Sequence, residues 1–370
     1  MASPIEFVEV DVDDRAVSLG LMAGGRRTDV HFRASVPLSL GRADPLLPLG
    51  LLAAMRTGAP LYLPAITSAR LLRNSRRLQD VLAAFSDRRL TATRIVAEPG
   101  PTPAPPGRGP GAFFSAGVDS FYTALKRAPE LTHLVYVGGF DVLDPASRRA
   151  QSALAGVRAA AADLGKELIE VETNLRAVTD PYETWHLAHG IGIAAVALLL
   201  QGQLERIYVP ASFAYADLAP WGTHPLLDPL WGTEAIDLVH DGCELVRAEK
   251  VARIASHDVV LERLRVCNQQ ASKYNCGKCE KCVRTMLNLR LAGALPRART
   301  LPTTVTMQQV AGLRPYAFAE RVATRNNLRR ARATGDWAMV GALTVALRPH
   351  PLLRIRHALG RTKRALLRRR

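Results

Sequence analysis

Cysteine is scarce: five among 370 residues, too few and too unevenly spread for a disulfide framework. Long apolar runs are missing too. The longest, residues 191–200, is ten residues long, whereas a helix crossing a bilayer needs about twenty, so no membrane span is expected. No basic stretch followed by an apolar core stands at the start of the chain, which argues against a secretory signal and for a cytoplasmic protein. No internal repeat is visible. Acidic residues are outnumbered, 33 against 49 Lys and Arg, leaving a formal charge of +16.

That charge suggests nucleic acid, but its distribution weakens the suggestion. Residues 348–370 carry nine Lys and Arg and no acidic residue, over half of the excess. The segment could be an amphipathic helix touching RNA or an anionic membrane surface. A solvated basic tail is the plainer reading and is preferred, with RNA kept as a less favoured partner. The hydrophobic content of 48% and mean hydropathy of +0.02 fit a globular core. A homodimer is compatible with the sequence.

Residues 99–110 contain nine Pro or Gly in twelve positions, which reads as a semi-rigid linker, neither helix nor central strand. Residues 1–98 before it alternate as half-buried strands do at 5–12 and 30–32, and have helical spacing at 71–85. A small α+β accessory domain is expected there, without catalytic residues. After the linker, strands expected at 112–114, 132–137, 167–171, 206–210 and 243–247 alternate with helices at 119–127, 146–164 and 182–200. That rhythm predicts an α/β fold with a doubly wound parallel sheet over 111–295. Residues 296–370 form a helical, basic extension. In such sheets ligands lie beyond the carboxyl ends of the strands.

Directly after the first of these strands comes Ser115-Ala116-Gly117-Val118-Asp119-Ser120, and then a helix. Small residues let successive N–H groups converge on an anion, and the helix N-terminus adds unpaired donors and partial positive charge. A phosphate or pyrophosphate suits this arrangement. Ser115 and Ser120 offer hydroxyls, and Asp119 can cap the helix and hold Mg²⁺. The loop is neither GxxxxGK[ST] nor GxGxxG. An ordinary strand-to-helix turn with an Asp cap is the alternative.

Four of the cysteines, Cys267, Cys276, Cys279 and Cys282, follow the spacing C-x8-C-x2-C-x2-C. Two-residue gaps let thiolates turn back onto one ion, and Gly277 permits the tight turn. Four sulfur ligands without histidine describe a closed structural zinc site over 267–282. Lys273, Lys278, Lys281 and Arg284 offset the thiolate charge. An iron–sulfur cluster is less favoured, because ferredoxin runs take a more distant fourth ligand and usually continue into Pro.

The loop resembles the SGGxDS signature of the PP-loop ATP pyrophosphatases, with Ala116 where that family usually has its first Gly. The cysteine spacing, about 150 residues later, resembles that of 7-cyano-7-deazaguanine synthases. The resemblance covers roughly residues 112–291. It implies a PP-loop (HUP-like) fold binding ATP, Mg²⁺ and Zn²⁺, and breaking ATP between its α and β phosphates. It also implies that Ser115, Ala116, Gly117, Val118, Asp119 and Ser120 contact ATP. The extra N-terminal segment and a different stretch after the fourth strand depart from those synthases, so a relative with another small-molecule acceptor is expected. Amide- or nitrile-type nitrogen transfer follows from the resemblance. A tRNA-modifying enzyme of the superfamily and a non-catalytic nucleotide-binding protein are the alternatives.

Residues 211–234 follow the fourth strand and concentrate Asp217, Trp221, His224, Asp228, Trp231 and Glu234 with turn-forming residues. A loop of that length suits an acceptor pocket, with His224 or Asp228 contacting or deprotonating the acceptor. A surface loop whose tryptophans cover the core is the alternative. Gly138-Gly139 could admit an adenosine, Thr173-Asn174 could add polar contacts, and Lys250 with Arg247 could steady the leaving pyrophosphate. His186 and His189 read as ordinary helix residues.

Overall fold

A computed structural model describes residues 3–39, 41–267, 269 and 274–348. Its centre is an eight-stranded sheet. In chain order the strands are β1 (Glu6–Asp13), β2 (Ala16–Ala23), β3 (Arg26–Ala34), β4 (Gly109–Phe113), β5 (His133–Gly138), β6 (Glu167–Thr173), β7 (Leu204–Pro210) and β8 (Asp237–Asp241). Across the sheet they run β1-β2-β3-β6-β5-β4-β7-β8. The five strands from β6 to β8 are mutually parallel, and β3 joins them antiparallel, pairing Val171 with Ala34. The fold is therefore α/β with a mostly parallel sheet.

Alternation along the strands separates two apolar layers. Phe113 enters one layer, while Ala112 and Phe114 enter the other. The first layer holds α1 (Leu46–Thr57), α2 (Ala69–Phe85) and α5 (Trp185–Leu199). The second holds α3 (Val118–Lys126), α4 (Arg148–Asp163), α6 (Arg247–Ile254) and α7 (Glu280–Leu291). Helix α5 is buried on almost every side from Leu187 to Leu199, which accounts for an apolar run too long for one helix face. Asp241, at the end of β8, fixes α3 by accepting hydrogen bonds from Thr123 (3.0 Å), Lys126 (3.1 Å) and Arg127 (2.7 Å). Beyond α7 come α8 (Phe318–Ala333) and α9 (Trp337–Ala346).

Three expectations need correction. Gly109 and Pro110, read as linker, begin the central strand β4, because a proline is tolerated at a strand's start, where its missing N–H breaks no essential ladder bond. The expected fifth strand at 243–247 is displaced: β8 ends at Asp241, and Arg247 already starts α6. Residues 1–98 do not stand apart, since β1–β3 extend the central sheet and share the apolar layer of α5. The basic residues 349–370 lie outside the described residues.

The parallel part reads third, second, first, fourth, fifth strand in chain order. Its connections reverse direction between β4 and β7, so the loops after these two strands diverge and leave a crevice at the carboxyl edge.

Candidate anion site and tetracysteine centre

The expected phosphate loop lies at that crevice. Ala116 adopts φ 56° and is wholly buried, a left-handed conformation that costs an alanine about 1–2 kcal/mol. Its carbonyl accepts a hydrogen bond from the Arg265 N–H at 2.8 Å. Ser120 acts differently from its expected part. Its hydroxyl accepts from the N–H groups of Ser115 (3.3 Å) and Gly117 (3.1 Å) and donates to the Gly117 carbonyl (3.1 Å), so it closes the loop on itself. The Val118 side chain belongs to the core, and Gly117 caps α3. The first-turn N–H groups of α3 point outward without intrahelical partners, as in any helix.

Asp119 projects from that first turn into a group of cations. Arg247 donates to its Oδ2 at 2.9 Å, and the Lys250 Nζ stands 3.6 Å from its Oδ1. Lys250 is almost completely buried, yet it keeps its charge partner and donates to the Ala211 carbonyl at 2.6 Å. Because Ala211 directly follows β7, Lys250 joins the two sides of the crevice. Helix α7 adds Arg284, 7% exposed, which feels the charges of Arg247, Glu280 and Asp119. Burial, reinforced by Arg247, pulls the Arg284 guanidinium down, and burial also lowers Lys281. Glu280 is pushed up by burial. Four buried polar atoms accept or donate no hydrogen bond here: Asp119 Oδ1, Arg247 Nε, Glu280 Oε1 and Arg284 Nε. Buried polar groups are normally satisfied, so such a concentration marks a place built for a ligand or water.

At the end of β5, Gly139 lines an open cleft of about 560 Å³ together with Leu143, Asn174, Arg176 and Asp180 among others. Gly139 has φ 93°, and a Cβ there would lie 1.8 Å from the Thr173 carbonyl oxygen. Only glycine fits between these strand ends. Thr173 and Asn174 already have partners: Thr173 accepts from the Leu175 N–H, and Asn174 bonds the backbone of His31 and Asp29 on β3.

His224 and Asp228 are not brought to Asp119. They lie in the opposite layer, where the His224 ring meets Phe85 of α2 edge-on at 5.0 Å. The His224 Nδ1 accepts from the Leu226 N–H (3.1 Å), and Asp228 accepts from the His224 N–H (3.1 Å) and from His240 Nδ1 (2.6 Å). Burial opposes charge on His240, but the Asp228 hydrogen bond overcomes it and holds the imidazole up at about 9. This is an internal pair within the apolar layer that Phe85 and Trp231 share. Several other residues of the 211–234 loop are also tied down. Glu234 caps α2, Asp217 accepts from Asn326 of α8, and Trp231 is buried. Trp221 meets His186, His189 and Phe213. His189 bonds the Trp185 carbonyl and Thr223, and burial pulls it down to about 4.

Comparison of the chain with protein-family models, with curated proteins and with solved structures returns no match. What the molecule does must therefore be argued from its own groups.

The four cysteines converge, with their sulfur atoms within 4.8 Å of one another. Cys276 to Cys282 and Cys279 to Cys267 are each 3.9 Å, close to the ~3.8 Å edge of a tetrahedron with zinc–sulfur arms of about 2.3 Å. The N–H groups of Lys278 and Cys279 donate to the Cys276 sulfur at 3.4 and 3.3 Å, and the intervening Gly277 has φ 71°. A hydrogen bond from Cys282 holds the Cys279 thiol down at about 4, favouring a thiolate. The cluster can hold a metal such as zinc. Buried Asn275 braces it, accepting from the Val266 and Cys267 N–H groups and donating to the Leu264 and Thr300 carbonyls. The segment that carries Cys267 also carries Arg265, which holds Ala116, and Cys279 caps the helix that carries Arg284. From the sequence, Arg284 is expected only to offset thiolate charge. Its position two residues after the last cysteine was visible, but its direction toward Asp119 depends on how α7 packs on α6.

Proposed function

We propose that the chain is an ATP-dependent ligase of PP-loop type, which adenylates a small-molecule acceptor and releases AMP and pyrophosphate. The observation that carries this reading is the meeting of the Ser115–Ser120 loop with Asp119, Arg247 and buried Lys250 at the strand-order reversal. The loop N–H groups and the N-terminus of α3 would cradle phosphate oxygens, and Lys250 and Arg247 would stabilise the charge that develops on the departing pyrophosphate. Asp119, with one carboxylate oxygen lacking a hydrogen bond, suits a Mg²⁺ ligand that would neutralise the phosphates. An oxygen of the acceptor attacks the α-phosphorus, and ammonia or an amine then displaces AMP. The tetracysteine metal is structural in this scheme, because four sulfur ligands leave no open coordination position. Ala116 keeps the left-handed conformation that a glycine would take, so the substitution does not argue for a decayed, non-catalytic loop.

Incubation with Mg–ATP and a small-molecule extract of the host, beside an Asp119→Ala variant, tests the reading. AMP and pyrophosphate, lost in the variant, are expected. ADP and phosphate as the products would overturn it.

A further inference from the structure

We infer that Arg284 and Lys281, carried by the helix that begins at the tetracysteine centre, belong to an anion site shared with Arg247 and Lys250, whose ligand is a pyrophosphate group. The inference rests on the proposed ATP-cleaving reading for the identity of the anion, but the site itself rests on the arrangement of groups.

Arg284 is more than nine-tenths buried, and its Nε has no partner. Its contact with Glu280, 3.4 Å from Nη1, is long for a charge-assisted hydrogen bond. Glu280 Oε1, the atom of that contact, also lacks a hydrogen bond. Arg247 is more open, with 21% of its side chain exposed, but its Nη1 is spent on Asp119 and its Nε is buried and unpartnered. Two guanidinium groups, each with a buried and idle Nε, stand around the same carboxylate and form an incomplete network. A partly satisfied buried network is costly unless a ligand completes it. Asp119, Glu280, Glu320 and Asp141 stand among these cations, so the case for an anion lies in the idle donors, and the fork of a guanidinium matches phosphate oxygens. The two sides of this site come from different elements. Asp119 belongs to the loop after β4, whereas Arg284 and Lys281 arrive on α7, whose first turn is fixed by Cys279 and Cys282.

Titration calorimetry of the full, zinc-loaded chain with inorganic pyrophosphate tests the site without needing an acceptor. Arg284→Ala should weaken pyrophosphate binding at least tenfold with unchanged zinc content, and Arg284→Lys should recover part of the loss. Lys281→Gln, at a partly buried position, provides a second variant of similar size and should weaken binding severalfold. Unchanged pyrophosphate affinity in folded Arg284→Ala and Lys281→Gln proteins would overturn the inference, even if the wild-type chain forms AMP from ATP. Arg284-dependent pyrophosphate binding in a chain that turns ATP over to ADP would keep the site and discard the ligase reading.

Discussion

Ala116 holds a backbone angle that few side chains tolerate, and the environment enforces it. Its carbonyl is bound by Arg265, its neighbour Gly117 by Ser120, and its methyl group is fully buried. Glycine at this position would relieve the left-handed cost of about 1–2 kcal/mol. It would also lose the buried methyl, about 0.8 kcal/mol, and gain unfolded-state entropy worth about 0.4–1 kcal/mol. These nearly cancel. Ala116→Gly is therefore expected to leave stability within about 1 kcal/mol of the parent in urea unfolding, while Ala116→Val adds a β-branched clash and overpacking and should cost more than about 2 kcal/mol. A valine variant as stable as the parent would mean that the loop readily leaves this conformation.

Between elements, the coupling that matters most is the one closed by Glu234. It accepts hydrogen bonds from the Ser68 hydroxyl (2.7 Å), the Arg70 N–H (2.8 Å) and the Thr102 N–H (3.3 Å), and so fastens the loop after β7 to the N-terminus of α2. Burial pushes its carboxyl up, but these donors outweigh it and hold the carboxyl down at about 2. A depressed carboxylate contributes stability above its unfolded value of about 4.3 and loses that contribution as the pH falls. The difference in thermal midpoint between the parent and Glu234→Gln should thus be full at pH 7, shrink below about pH 4.3 and vanish near pH 2. A difference independent of pH would assign the effect to shape alone. The same loop shows what the sequence can and cannot disclose. Its polar and aromatic content suggests an acceptor pocket, but nothing in the order of His224, Asp228 and Glu234 tells that the first two are buried and that all three find partners elsewhere in the chain. Their partners, Phe85, His240 and Ser68, lie far along the chain or on another strand. The tight turn at 115–120 and the cysteine cluster were legible because their geometry is local: a strand, a few small residues and a helix in one case, two-residue gaps in the other.

At the scale of the molecule, the decisive fact is that one sheet runs through both the N-terminal segment and the parallel strands. The proline- and glycine-rich stretch suggested a boundary because linkers share that composition, yet composition does not record what the flanking strands pair with. Strand β3 covers the edge of β6, and α1 lies on α5. Removing residues 1–98 would strip Phe7, Leu21, Phe32, Leu49, Leu52 and Met55 from the layer that contains Ile191, Ala195 and Leu199. Each such side chain is worth about 1.5–3 kcal/mol when buried, so the loss is on the order of the whole net stability of a domain, ~5–15 kcal/mol. The truncation also leaves β6 as an open edge beside a bare apolar face, a combination that promotes aggregation. A chain beginning at residue 99 is therefore expected to be insoluble, or to elute from size exclusion as aggregate, with no cooperative unfolding transition. A soluble, cooperatively unfolding monomer that still binds pyrophosphate would show instead that the segment docks as a separable unit and that the anion site does not depend on it.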